Sequence, residues 1–336
     1  MTSKFQKVGI AGAGSWGTAL GMLLHNNGCN VTIWGHDAPA LERIRTEGES
    51  KVYLPGVRIP EGLHFTSELE DLRDLPLILL VTPSKAIREV AARLSTVDLR
   101  SDAVLLSFTK GVERGSGKRM SEILAEFFPD HPLAVLSGPS HAEEVSRSRP
   151  TAVVLGCADK ALGPQLQEIF FAPTFRTYTS EDVAGIEFGG ALKNIFAIAA
   201  GVSDGLGLGD NSKAALVTRA LAELSRLGTA LGGQPETFQG LSGIGDLMVT
   251  CFSQHSRNRL VGERLGKGER LSDIVASMQM VAEGVPTTYS AFECARRLGV
   301  ETPIIDQVRA LLDGTLTARE ALDQLLSREP RSEITC

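Results

Sequence analysis

Residues 8–37 read VGIAGAGSWGTALGMLLHNNGCNVTIWGHD. An apolar run at 8–11 enters the turn Gly12-Ala13-Gly14-Ser15-Trp16-Gly17, a helical stretch follows as far as Asn27-Gly28, and a second apolar run occupies 31–34. The spacing G-x-G-x-x-G alone often marks only a tight turn; between a strand and a helix, with a second strand following, it predicts a dinucleotide site. Each glycine has its own task. Gly12 permits the turn, Gly14 lets a pyrophosphate reach the backbone, and Gly17 lets helix and strand pack closely. The helix opened by Ser15 and Trp16 then points unpaired N–H groups and a positive dipole end at the phosphates.

The end of the second strand bears on which dinucleotide binds. A site selective for NAD usually places Asp or Glu there, accepting from the ribose hydroxyls. Here the chain reads Trp34-Gly35-His36-Asp37. Gly35 leaves room and His36 suits a 2′-phosphate, whereas Asp37 stands one step too far round. NADPH and NADH both stay open, and a solvated loop histidine is the plain alternative for His36.

Outward from this unit, apolar runs at 77–81, 103–108 and 133–136 alternate with helical stretches. Runs apolar on both faces suit strands covered on both sides, in the crossover order of a parallel sheet. Two further strands are expected at 151–155 and 175–178. From about Glu181 strand signals stop, and the expected architecture is α/β: an N-terminal doubly wound, Rossmann-like sheet over 1–180 and an all-helical domain over 181–336. In the helical part, Asn211 is expected to cap a long helix ending at Gly232-Gly233, and Pro303 and Gly314 to bracket another. Thr317 and Glu320 predict a capping box, and the residues after Arg328 a polar tail.

Within that half, residues 187–201, EFGGALKNIFAIAAG, form a helical run with almost no polar face, interrupted by Lys193 and Asn194. One turn from Lys193 lie Gly189, Gly190 and Ala197, all small. Glycine costs a helix about 1 kcal/mol relative to alanine, so two in succession imply a close approach and, beside the amine, a hollow. Burial lowers a lysine pKa and suits it to carry a proton. The competing reading is a lysine that snorkels to the surface.

Other polar groups gather at strand ends and helix starts. Residues 107–111, SFTKG, and 137–142, SGPSHA, follow strands, where open α/β sheets bind ligands. Lys110, Ser140 and the amides near Gly138 thus suit one anion or carbonyl, though each alone is ordinary loop chemistry. Residues 241–247, LSGIGDL, and 255–259, HSRNR, form the helical half's densest polar cluster. If Ser256, Arg257 and Asn258 begin a helix, guanidinium and free amides make a phosphate cradle; the alternative is a simple helix cap. No HExxH or Cys/His cluster occurs, so no metal is expected, and no serine nucleophile is expected either.

Composition narrows the field. The 336 residues are 43% apolar and 22% charged, as in a chain with a sizeable core, and the net charge of −6 disfavours a nucleic-acid or anionic-membrane coat. Five widely spaced cysteines without a CxxC pair suit the reducing cytoplasm. The apolar stretch after Lys4 and Lys7 is broken by glycines, so no secretion signal is read there, and no apolar run is long enough to predict a membrane span. Cys336 is last rather than fourth from the end, which excludes a prenylation signal.

The segments GAGSWGTAL (12–20), SFTKGVE (107–113), LSGPSHAEEV (136–145), EFGGALKNIFAIAAGVSDGLGLGDNSKAAL (187–216), LSGIGDL (241–247), SRNR (256–259) and MVAEGVPTT (280–288) together resemble the bacterial-type NAD(P)-dependent glycerol-3-phosphate dehydrogenases. The resemblance runs from about Lys7 to Leu326. It implies reversible hydride transfer between NADPH or NADH and dihydroxyacetone phosphate, giving glycerol 3-phosphate for phospholipid synthesis. Lys193 would be proton donor and acceptor. Lys110, Gly138, Ser140, Asp246, Ser256, Arg257 and Asn258 would hold the substrate. Ser15, Trp16, His36, Lys110, Ala142, Arg257, Val281 and Glu283 would contact the dinucleotide, beside Gly12, Gly14 and Gly17. A homodimer is compatible with the apolar faces of the helical half. The competing functions are a silent dinucleotide sensor and a hydroxy-acid dehydrogenase in which Arg257 grips a carboxylate.

Overall fold

The computed structural model describes residues 4–330, 332 and 333; Cys336 lies outside them. Two compact units divide the chain: one runs up to Lys110 and resumes over Arg119–Val183, and the other comprises Gly111–Lys118 and the chain from Ala184. The short excursion 111–118 precedes the expected boundary. It is tied to the helical unit where the Ser290 hydroxyl donates to the Val112 carbonyl at 3.0 Å.

The first unit is built on strands β1 (Lys7–Ala11), β2 (Asn30–Trp34), β3 (Glu49–Ser50), β4 (Leu54–Arg58), β5 (His64–Thr66), β6 (Leu77–Leu80), β7 (Val104–Ser107), β8 (Leu133–Ser137), β9 (Thr151–Gly156) and β10 (Phe175–Ser180). Eight of them form one sheet in the order β10-β9-β8-β7-β6-β1-β2-β5, and β3 and β4 pair apart as a hairpin. Side chains alternate across a strand. On β6, Leu77 and Leu79 enter one core while Ile78 and Leu80 enter the core on the opposite face; on β7, Val104 and Leu106 oppose Leu105 in the same way. That two-sided burial explains why the central strands read as unbroken apolar runs.

The sheet is parallel, as expected, except at one place. β8 and β9 are antiparallel, while β9 and β10 are parallel to one another. The connection from β8 to β9 carries only the four-residue helix Ala142–Val145, whereas the parallel step from β9 to β10 carries the nine-residue helix Leu162–Phe170. β3, β4 and β5 were not expected. β3 has two residues and β5 three, and β4 contains Pro55 and Gly56, which read as a turn.

In the second unit the helix Val183–Gly205 forms the centre of the core. By length and composition it is apolar enough to cross a membrane, contrary to the sequence reading. However, 83% of its most apolar window is buried within the chain, which makes it a core helix. The next helix, Gly209–Ala230, starts before Asn211, with Leu208 at its cap and no side-chain cap bond. The chain turns through left-handed Gly207 and Gly209 (φ 68° and 81°), so the helix is under way when Asn211 is reached. The helix Pro303–Leu312 and the Thr317–Glu320 capping box form as expected.

Two helices of this unit meet backbone to backbone. A Cβ on Gly201 would lie 2.0 Å from the Arg259 carbonyl oxygen, one on Gly205 2.3 Å from that of Glu263, and one on Gly262 1.9 Å from that of Ile198. The helix Arg257–Gly266 therefore rests directly on Val183–Gly205.

Elsewhere in the unit Glu223 is 1% exposed and accepts from the amides of Ile304 and Ile305, at 3.0 and 2.9 Å, at the start of the Pro303 helix. Burial pushes its carboxyl from 4.5 up to about 7, against the pull of those two amides and of Arg226. A carboxyl raised on folding contributes stability that is fully present below about pH 4.5 and is lost as the pH rises through about 7. Chemical denaturation is expected to show about 2–3 kcal/mol less stability near pH 8 than near pH 5 from this group. Glu223→Gln should flatten that difference; an unaltered slope would show that other groups cause it.

Candidate active site

In the first unit the three glycines of the turn occupy three distinct environments. Gly12 has φ 136°, and a Cβ there would lie 2.3 Å from the Val81 carbonyl oxygen; one on Gly17 would lie 1.8 Å from the Gly12 carbonyl oxygen. Both are held by the fold. Around a Cβ on Gly14 nothing lies within 4 Å. Gly14 also caps the helix Ser15–Asn26 without any side-chain bond to its first amides. The open backbone beside free amides fits a pyrophosphate. Trp16, half-buried, meets Phe108 edge-on at 6.2 Å.

At the end of β2 the structure corrects one expectation. Gly35 does not leave room: a Cβ there would lie 2.9 Å from Ala13 Cβ and 3.0 Å from Leu41. His36 is exposed. The Asp37 carboxylate accepts from the Ala40 amide at 3.0 Å and caps the helix Ala38–Glu47. Asp37 therefore spends its charge on a helix start.

Beyond β7 and β8, Lys110 Nζ donates to the Gly138 carbonyl at 3.0 Å, and Ser140 Oγ donates to the same oxygen at 2.9 Å. Gly138 has φ 131°, a backbone conformation L side chains rarely adopt. Three residues expected from separate strand ends thus share one carbonyl. Ala142, buried, begins the one-turn helix that follows.

In the second unit Lys193 is 6% exposed. Its Nζ donates to Asp246 Oδ1 at 2.5 Å and to Thr250 Oγ1 at 2.6 Å, and Thr250 Oγ1 donates to the Asp246 backbone carbonyl at 2.6 Å. The snorkelling alternative is excluded. The expected hollow at Gly189 is also corrected, because a Cβ there would lie 2.6 Å from the Ser242 carbonyl oxygen. The close approach is that of the π-helical turn Leu241–Gly245, which leads into the helix Asp246–Phe252. The glycine thus admits the segment that delivers Asp246. The carboxylate favours the ammonium form and opposes the effect of burial on the amine. Thr250 was missed by sequence reasoning; its spacing of four from Asp246 on a helix was the available signal.

Asn194 Oδ1 accepts from Asn258 Nδ2 at 2.8 Å, and Asn258 Oδ1 accepts from the Gly284 amide at 2.8 Å. Ser256 caps the helix Arg257–Gly266 by accepting from the Arg259 amide at 3.2 Å, so the conditional cradle does begin a helix. Arg257 is exposed and donates to the Val281 carbonyl at 2.9 Å; Glu283 caps the neighbouring helix Gly284–Leu298. Arg257, Val281 and Glu283 thereby gather around one helix start. Burial pushes the thiol of Cys251, next to Thr250, up to about 12, so it stays neutral. Among the described residues no group of His, Cys, Asp and Glu is arranged to hold a metal.

Two family descriptions match the chain, the N-terminus of NAD-dependent glycerol-3-phosphate dehydrogenase over residues 7–163 and its C-terminus over 182–323. The chain is 47% identical over 331 residues to the glycerol-3-phosphate dehydrogenase (NAD(P)+) of Chlorobium phaeobacteroides, covering 97% of this chain and 99% of that one. To the enzyme of the same name from Geobacter sulfurreducens it is 46% identical over 332 residues, covering 98% and 99%. The crystal structure of glycerol-3-phosphate dehydrogenase from Coxiella burnetii superposes with a TM-score of 0.92 at 37% identity, over 96% of this chain and 99% of that one. A buried lysine paired with a carboxylate, a nucleotide turn and these matches over nearly the whole length lead to one assignment: the chain belongs to the NAD-dependent glycerol-3-phosphate dehydrogenase family of oxidoreductases.

Proposed function

We propose that the chain catalyses reversible hydride transfer between NADPH or NADH and dihydroxyacetone phosphate, yielding glycerol 3-phosphate for phospholipid synthesis. The observation that carries this reading is Lys193 Nζ, buried and held by Asp246 and Thr250. Gly12, Gly14, Ser15, Trp16, Gly17, His36 and Ala142 would hold the dinucleotide, with Lys110, Arg257, Val281 and Glu283. When bound, the nicotinamide supplies or accepts the hydride.

The protein's own residues handle the oxygen and the phosphate. As the substrate carbonyl is reduced, its oxygen gains negative character and takes a proton from Lys193; in oxidation the proton returns. Asp246 and Thr250 fix the nitrogen, so little reorganisation accompanies the step. The capped helix start at Ser256, with Arg257 and Asn258, grips the phosphate, and this remote binding energy positions the reacting carbon. Lys110, Gly138 and Ser140 orient the substrate's polar groups. The residues come from one chain, and a homodimer is compatible with that. Among the described residues the four cysteines are buried and free, which supports action in the reducing cytoplasm.

Purified protein is expected to oxidise NADPH or NADH when given dihydroxyacetone phosphate, with inorganic phosphate competing against the substrate. Cofactor binding without turnover would overturn the proposal in favour of a sensor. Turnover of 2-oxo acids indifferent to phosphate would favour a hydroxy-acid dehydrogenase.

A further inference from the structure

Asp204 lies one residue from the end of the Val183–Gly205 helix and is shared by two cations. Its carboxylate accepts from Lys213 Nζ at 2.9 and 2.8 Å and from Arg259 Nε at 2.6 Å. The side chains are 22%, 8% and 18% exposed for Asp204, Lys213 and Arg259. Lys213 Nζ also stands 4.8 Å from the centre of the Phe252 ring. One carboxylate thus joins the helices Val183–Gly205, Gly209–Ala230 and Arg257–Gly266.

Arg259 directly follows Asn258, which is bonded to Asn194. Asn194 and Asp204 are ten residues apart on one helix, about 15 Å along its axis. The first turn of the Arg257 helix is therefore pinned at two separated points, and between them the bare backbone at Gly201 and Gly262 removes any cushion of side chains. A contact between glycine faces alone resists separation but permits small sliding and rotation. The Arg259–Asp204 ion pair adds a directional restraint, because Nε–H has one geometry toward the carboxylate.

We propose that Asp204 is a positioning residue: through Arg259 it fixes the register of the first turn that presents Ser256, Arg257 and Asn258 to the substrate phosphate. The inference rests on the reading of that turn as the phosphate grip. Asp204 itself touches neither substrate nor cofactor in this scheme. Stability alone would not call for it, since a buried ion pair is often replaceable by well-packed apolar groups without loss.

The test is Asp204→Asn in the full-length protein, with Arg259→Lys as a second variant that keeps both charges but loses the Nε–H geometry. Asp204→Asn, which removes the charge that orients Arg259, is expected to raise the KM for dihydroxyacetone phosphate roughly tenfold or more, with kcat within about threefold and the KM for NADPH unchanged. Hydrogen exchange of amides 257–260 should accelerate selectively. Arg259→Lys should lie between it and the unaltered protein, and it carries the test if the asparagine variant does not fold. Unchanged KM and exchange would overturn the proposal, as would a uniform loss of activity proportional to the folded fraction. If the unaltered protein did not turn over dihydroxyacetone phosphate, the functional reading would fail, while amide exchange would still decide whether Asp204 fixes this turn.

Discussion

Gly14→Ala is expected to leave the melting temperature unchanged and to weaken NADPH binding by roughly tenfold or more, whereas Gly17→Ala should lower both. The two positions are three residues apart: Gly14 is the extended cap of the helix and Gly17 lies buried inside it, and the space around the missing Cβ differs sharply. At Gly17 the methyl would sit 1.8 Å from the Gly12 carbonyl oxygen, and backbone cannot rotate out of its way. Overpacking of that kind costs about 1–3 kcal/mol or more, and the turn would shift with it. At Gly14 no atom of the described residues beyond its chain neighbours lies within 4 Å of the added Cβ, so the fold accepts the methyl. The space it fills is the one a pyrophosphate needs to reach the amides of the Ser15–Asn26 helix. Each tenfold loss of affinity corresponds to about 1.4 kcal/mol. Thermal unfolding and cofactor titration on the same samples check both claims; full affinity in Gly14→Ala would place the dinucleotide elsewhere.

The sequence was most readable where one physical cause dominates. The runs at β6 and β7 are apolar on both faces because both faces are buried, and their shortness separates them from the long apolar run of the core helix Val183–Gly205. Lys193 stood out because a cation inside an apolar helix is costly unless paired. The direction of β9 was not readable, since alternation carries no sign of strand polarity; the one-turn helix after β8 is the feature that accompanies the reversal. Gly189 was half-readable. A glycine there announces that something comes close, but not whether that thing is a cavity or the carbonyl of Ser242. Thr250 looked like any helical threonine until the folded chain put it against Lys193. The close backbone approaches at Gly201 and Gly262 were hidden for another reason: the facing segments are far apart in the chain and neither glycine is unusual alone.

Lys193 is where the largest effect on rate is expected. Removing a positioned proton carrier typically costs about 10²–10⁴-fold. Lys193→Ala alone is an ambiguous variant, because it strands Asp246, 1% exposed, without its cation. Breaking a buried pair in that way costs about 3–5 kcal/mol. Lys193→Arg separates the two effects. It keeps a positive charge for Asp246, so cofactor binding and fold should persist, but a guanidinium does not give up its proton in a protein.

The decisive measurement is the initial rate of NADPH oxidation with dihydroxyacetone phosphate for the unaltered protein and for Lys193→Arg, at matched folded concentration and saturating cofactor. A fall of roughly 10²-fold or more in the variant, with NADPH affinity retained, is the outcome predicted for a proton-carrying lysine. A variant that turns over at the unaltered rate would contradict it and leave the Lys193–Asp246 pair with a structural role alone.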